Sequence, residues 1–389
     1  MKYNFDEIVD RKNTNCIKYD KASEVFGSDE VIPMWIADMD FRTPDFILEA
    51  IKKRTNDPIL GYFYHSDSFY NSIIGWMKRR HGWNIEKEWI HFSPGIVTGL
   101  AALVQAFTQK KDKIIIQTPV YHPFYAVIEN QDRTLVKNPL KLENDVYTMD
   151  FEDLEKKLKD GAAMLILCNP HNPVSRCWTP EELQKLGELC LRYHCLVVSD
   201  EIHADLIMPG YKHTPMAAVS DAIAANTITC MAPSKTFNIA GLSTSEVIIP
   251  NKELGNIYDR FMDEKLHLLM GNTFGDVALE AAYSHGDAWL DQLVPYLAEN
   301  VHYCHDFITK NIPGLKTYPH EATYILWIDF RNLGIPHEEL KKILVEKAKL
   351  GLNDGLLFGT EGEGFMRMNL ACPKSVVEKA MTNLKNVFA

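Results

Sequence analysis

Ala232-Pro-Ser-Lys235-Thr-Phe-Asn-Ile-Ala-Gly241 decides the reading of this chain, because its lysine directly follows an apolar, β-branched run at 227–231. That run predicts a strand, and it is one of a series. Upstream, 113–117, 164–168 and 196–199 read as strands, 246–250 does so downstream, and helical patterns fill the intervals. Such alternation predicts an α/β unit with a mainly parallel, helix-wrapped sheet. Polar residues fall just past the strand ends: Tyr121, Asn172, Asp200 and Lys235 follow the first four runs in turn. Ligands in open α/β sheets bind along that carboxyl edge, so these distant residues are predicted to converge.

One connecting helix is legible in detail. Thr179 caps it, Pro180 opens the first turn, Glu182 completes a capping box, and Leu183, Leu186, Cys190 and Tyr193 share a face. After about 285 the pattern changes to a long helix at 288–311 with a kink expected at Pro295, a strand-like 324–330, further helices and a strand at 365–370. This predicts a smaller α+β unit. The expected division is a large α/β domain at 48–287 and a small α+β domain made of 288–389 with the N-terminal segment 1–47. The aromatic and methionine-rich segment 31–41 is expected to cross between them, ahead of a helix at about 46–55.

Bulk properties exclude several classes. The 389 residues carry a net charge of −11, which argues against a nucleic-acid footprint, since phosphate binding needs a basic face. The longest apolar runs are far too short to span a bilayer, and the charged start lacks a signal-peptide core, so a cytoplasmic location is expected. Eight cysteines include no Cys-x-x-Cys and no zinc-finger spacing; reduced core thiols are the expectation and no metal site is predicted.

A buried lysine amine loses its proton more easily than a solvated one and can then condense with an aldehyde. A carbonyl cofactor such as pyridoxal phosphate needs that amine, an anion beside the pyridine nitrogen, a donor to the ring oxygen, a stacking surface and an anion cradle. Lys235 supplies the amine, Asp200 the anion, Asn172 the donor and Tyr121 the stacking ring. The helix start after Gly95, with Ile96 and Val97, offers free N–H groups to the phosphate.

At these residues the chain resembles a known family. Asp6-Glu-Ile-Val-Asp-Arg11-Lys-Asn-Thr14, Pro33-Met-Trp-Ile-Ala37-Asp38-Met-Asp40-Phe41, Arg79-Arg-His-Gly-Trp83, Ser93-Pro-Gly-Ile-Val97, Asn169-Pro-His-Asn172-Pro173, Ser199-Asp-Glu-Ile-His203, Ser234-Lys-Thr-Phe-Asn-Ile-Ala-Gly241 and Phe365-Met-Arg367-Met-Asn369 together resemble the fold-type I pyridoxal-phosphate enzymes of aminotransferase class I/II. Within them the chain is similar to the cystathionine β-lyase-like C–S lyase branch, which 33–41 and His203 favour over ordinary transaminases. The resemblance implies a mainly parallel seven-stranded sheet with a smaller α+β domain, and β-elimination of L-cystathionine or a related cysteine S-conjugate. Aminotransfer is the alternative, and a regulatory protein that merely binds the cofactor is a further one. It also implies that Arg367 holds the substrate carboxylate with Asn172 and Ala37, that Ser234 and His203 contact the cofactor, and that Tyr62 reaches the cofactor phosphate of a neighbouring subunit in a homodimer with shared sites.

Each residue also has a plainer reading. Asp200 can cap a following helix, Asn172 can shape a turn between two prolines, Tyr121 can be a rim aromatic, His203 can simply pack, and Arg367 can serve an ion pair. Arg176, His122, Asp38 and Asp40 belong to the matching motifs, yet packing or turn duties explain them equally well. The chain also departs from the family pattern: Ser175 stands where glycine is frequent, Ala232 where Ser or Thr is frequent, and Ser243 where many aminotransferases carry a basic residue.

Overall fold

A computed structural model describes residues 2–268 and 270–389. Seven strands form the central sheet: β1 (Ile90–Ser93), β2 (Lys113–Ile116), β3 (Thr134–Lys137), β4 (Ala162–Cys168), β5 (Leu196–Asp200), β6 (Thr227–Met231) and β7 (Ser245–Ile248), in the order β1-β7-β6-β5-β4-β2-β3. Neighbours are parallel except around β7, which runs antiparallel to both β1 and β6. The carboxyl ends of the other six strands therefore share one edge with the amino end of β7.

The strands read as apolar runs because both sheet faces are covered. Alternate side chains point opposite ways, so Leu165, Leu167 and Val197 pack with Trp178, Leu183 and Leu186 on one face. Met164, Ile166 and Val198 pack with Leu100, Leu103 and Phe124 on the other. The helix Pro180–Arg192 starts with the expected capping box, Thr179 accepting from Glu182 N–H while the Glu182 carboxylate accepts from Thr179 N–H. Its Leu183, Leu186 and Cys190 are buried, with Tyr193 half-buried at the C-cap. The strands β1 and β3 lie outside the sequence expectation, the first half polar, the second a partly exposed edge.

A second, antiparallel sheet comprises β8 (Lys316–Thr317), β9 (Ile325–Asp329), β10 (Asn353–Asp354) and β11 (Phe365–Asn369), in the order β8-β9-β11-β10. Leu326, Ile328, Met366 and Met368 turn to the helices Asp287–Asn311 and Lys374–Phe388. The helix Asp287–Asn311 carries Pro295 in its interior as one continuous helix. Period-2 alternation gives the opposite face to Trp327, Phe365, Arg367 and Asn369.

The segment 31–41 lies against this second sheet. Ile32–Pro33 pairs in parallel with Leu350–Gly351, and Asn369 N–H donates to the Met34 carbonyl at 2.9 Å. Its two aspartates are held by cations from the N-terminal stretch: Arg11 pairs with Asp38 at 2.6 Å and Asp40 at 2.7 Å, and Lys18 pairs with Asp40 at 2.8 Å. Lys18 is only 1% exposed, so deleting Asp40 would leave a buried ammonium poorly paired, a costly defect. No helix among the described residues is long and apolar enough to cross a membrane.

Candidate active site

The shared sheet edge opens into a cavity of about 270 Å³ lined by Ala37, Gly95, Ile96, Val97, Tyr121, Asn172, Asp200, His203, Ser234 and Lys235. A larger, shallower concavity of about 1310 Å³ lies between residues 25–28 and the helix His337–Glu346. It borders Trp35 and Asn353 but gathers none of these groups, so the smaller cavity is the candidate site.

Lys235 stands in the turn after β6, which is fastened on both sides. The Thr236 hydroxyl donates to Asp205 at 2.8 Å, and the Trp289 indole donates to the Thr236 carbonyl at 3.0 Å. Lys235 Nζ donates to the Ala37 carbonyl at 2.6 Å. Burial, reinforced by the Arg367 charge, pulls the amine down to about 8, while Asp38 and Asp200 pull the other way.

Asp200 ends β5. Its Oδ1 accepts from Ile202 N–H at 3.1 Å, and burial still raises the carboxyl to about 7 against the pull of that bond and of Lys235. His203, one turn further, packs edge-on to Tyr324 with ring centroids 5.9 Å apart; burial, with Lys235 and Arg367 nearby, lowers it to about 3 and keeps it neutral. Burial raises the Tyr121 phenol, opposed by Arg367.

Asn172 and Arg367 meet although 195 positions separate them: Arg367 Nη1 donates to Asn172 Oδ1 at 3.3 Å. Arg367 Nη2 donates to the Trp35 carbonyl at 2.8 Å and to Asn353 Oδ1 at 2.6 Å. Its guanidinium lies 4.9 Å from the Phe358 ring centroid. Burial lowers this arginine only to about 10, so it remains a cation at neutral pH.

Gly95 has φ +117°, a backbone setting that favours glycine, and serves as N-cap to the helix Ile96–Phe107 with no side-chain cap. The first N–H groups of that helix are left for an anion.

Tyr62 departs from the group. It is fully exposed, on an extended segment with exposed Ile59, Leu60 and Tyr64, and does not line the cavity of its own chain. Arg176 takes the plainer role, bridging Glu321 at 2.8 Å and Glu182 at 3.0 Å. Asp38 and Asp40 belong to the ion cluster. Sequence reasoning missed Thr98, Cys168 and Thr244 on the cavity wall, and Trp35, Asn353 and Tyr324 behind it. Thr98 follows Gly95 by one helical turn and could have been found there; Asn353 and Tyr324 carry no local pattern.

Three features call for a bound group. Asp200 is a buried carboxyl short of a cation, the helix start lacks an anion, and the buried His203 Nδ1 and Arg367 Nε have no partner. A protonated pyridine ring bearing a phosphate answers the first two demands at once, and the neighbouring amine suits its aldehyde. The residues present fit pyridoxal phosphate, and a pocket of this kind on this sheet belongs to a pyridoxal-phosphate-dependent enzyme of fold type I.

The sequence agrees: residues 29–384 match the family Aminotransferase class I and II, and the chain belongs to that family. It is 44% identical to cystathionine beta-lyase PatB of Bacillus subtilis strain 168, over 98% of this chain and 99% of that one. Its fold is similar to that of cystalysin from Treponema denticola, a structure containing pyridoxal 5'-phosphate, with TM-score 0.96 and 37% identity over 100% of this chain and 99% of that one. It is also similar to the pyridoxal-phosphate-bound C-S lyase of Staphylococcus hominis, with TM-score 0.92 and 35% identity over 100% and 99% of the two chains.

Proposed function

We propose that this protein is a pyridoxal-phosphate-dependent C–S β-lyase that converts L-cystathionine or a related cysteine S-conjugate and water to pyruvate, ammonia and a thiol. One observation carries the sulfur substrate: the end-to-end likeness to a cystathionine beta-lyase and to C-S lyases. The pocket supports it with an amine that gives up its proton near neutrality beside a buried carboxyl and a buried cation.

The bound cofactor supplies an aldehyde for the substrate amine and an electron-withdrawing ring. Asp200 would hold the ring nitrogen protonated, Asn172 would donate to the ring oxygen and Tyr121 would stack on the ring, with Ser234 and His203 at its margin. The N–H groups after Gly95, at Ile96 and Val97, would receive the phosphate. Arg367 would fork onto the substrate carboxylate beside Asn172 and Ala37. Lys235, as a neutral amine, would take the Cα proton and could return it to the departing sulfur; overall the Cβ–S bond breaks with its electrons going to sulfur, and one water is consumed as pyruvate, ammonia and the thiol are released.

The reading includes a homodimer in which Tyr62 of one chain reaches the cofactor phosphate of the other, supported by its full exposure beside Ile59 and Leu60. It also places the protein in the cytoplasm, in keeping with eight free cysteines. Cystathionine or an S-alkyl cysteine should give pyruvate, ammonia and thiol at rates independent of added 2-oxoglutarate, with alanine a poor substrate. Turnover that needs a keto acid and releases no thiol makes the protein an aminotransferase instead.

A further inference from the structure

The carbonyl that receives Lys235 is held by residues the reaction scheme does not use. Asn369 Nδ2 donates to the Ile36 carbonyl at 2.7 Å and to the Asp38 carbonyl at 2.6 Å. One amide thus secures the carbonyls of the residues on both sides of Ala37. From the lysine's own turn, Asn238 accepts from Met39 N–H at 3.0 Å and donates to the carbonyls of Met39 at 2.9 Å and Phe41 at 3.0 Å. The Ala37 carbonyl itself faces the cavity, where it accepts from Lys235 Nζ at 2.6 Å and from the Tyr324 hydroxyl at 3.0 Å. Tyr324 is fully buried, and its hydroxyl spends its proton on that oxygen. Asn369 is equally committed: its Oδ1 accepts from Ala371 N–H at 2.8 Å.

The catalytic cycle requires a place for the lysine amine whenever it is not bonded to carbon. Lys235 alternates between bonding the cofactor and acting as a free base, and a four-carbon stem loses much rotamer freedom when its tip must sit at one point. A fixed acceptor limits that search.

We propose that the Ala37 carbonyl is the dock of the free Lys235 amine during proton transfer at Cα, and that Tyr324 and Asn369 are the positioning residues that aim it. Asn369 stands two residues beyond Arg367 on the same face of β11, so the strand that would grip the substrate carboxylate also sets the seat of the base. The inference rests on the proposed roles of Lys235 and Arg367, but not on which bond breaks after the Cα proton leaves.

The test uses cofactor-loaded full-length protein and follows exchange of the Cα proton of L-alanine in D2O, a step common to lyases and transaminases. Tyr324→Phe removes one hydroxyl and keeps the ring. Exchange should slow about ten-fold, the scale of one neutral hydrogen bond, with unchanged alanine affinity and cofactor retention. Asn369→Ser should slow exchange at least as much. In the same variant the backbone amides of Met39 and Asp40 should trade hydrogen for deuterium faster by mass spectrometry, while those of β9 keep the wild-type rate. Wild-type exchange in both variants overturns the proposal, as does a loss confined to alanine affinity. Failure of wild-type protein to release thiol from any S-conjugate, with Cα exchange intact, would instead overturn the lyase reading and leave the dock standing.

Discussion

At the residue scale, Asp200 shows how the cofactor-free and the cofactor-bound protein make opposite demands. Its folded-state value near 7 lies above the ordinary carboxyl value near 4 because burial disfavours the anion. Between those values the native state holds more protons at this site than the unfolded chain does, so the site's contribution to stability falls as pH rises. In cofactor-free protein, Asp200→Asn should therefore gain stability over wild type as pH climbs from about 4 to about 7 and hold a constant margin above that. Denaturant midpoints across that range check it, and an unchanged margin would mean that the carboxyl ionises freely in the fold. With cofactor bound the order reverses: Asp200→Ala should lose on the order of 10²-fold in kcat, the cost of removing a preorganised charge, and Asp200→Glu less. Near-normal turnover of the alanine variant would return Asp200 to a structural role.

Lys235 is expected to carry the cofactor. Borohydride treatment of the yellow holoenzyme should fix the cofactor on one tryptic peptide containing Lys235, and its recovery on another lysine would displace the residue from the centre of the reading.

At the element scale, the helix Pro180–Arg192 connects the two parallel strands whose carboxyl ends lead to Asn172 and Asp200. Thr179→Ala removes half of its capping box and should cost about 1 kcal/mol in urea unfolding, with kcat unaffected because neither Thr179 nor Glu182 lines the cavity. The same helix shows why much of the fold was readable from sequence. Caps and both-face burial write themselves into short windows, so β4, β5, β6 and this helix were each visible within a few residues of their true bounds. Strand β1, Ile-His-Phe-Ser, alternates apolar and polar side chains over only four residues, too short a run to stand out, and β3 is a partly exposed edge without such alternation. The site divides in the same way. Asp200 ends a strand and Asn172 and Lys235 follow strand ends, so all three announced themselves, whereas Asn353 acts through Arg367, and Trp35 acts through a backbone carbonyl that leaves no mark on residue type.

At the scale of the whole molecule, Tyr62 is fully exposed and does not line the cavity of its own chain. If it completes the site of a second copy, a Lys235→Ala chain and a Tyr62→Ala chain, each severely impaired alone, should regain turnover when mixed and reassociated, because one composite site of the hybrid escapes both lesions. Verified hybrids without recovery would remove Tyr62 from catalysis.

The hydrogen bonds that tie the segment 35–38 to Lys235, Arg367 and Asn369 also order events during synthesis. A growing chain exposes the lysine and the carboxylate at 200 well before the ribosome has made β11, so the pieces that would capture the cofactor exist before Arg367, which would grip the substrate carboxylate, and before Tyr324 and Asn369, which aim the seat of the amine. Until residues near the C-terminus fold back on a loop near the N-terminus, any aldehyde the nascent chain captures meets an unaimed base. The final strand is what turns a reactive amine into a selective one.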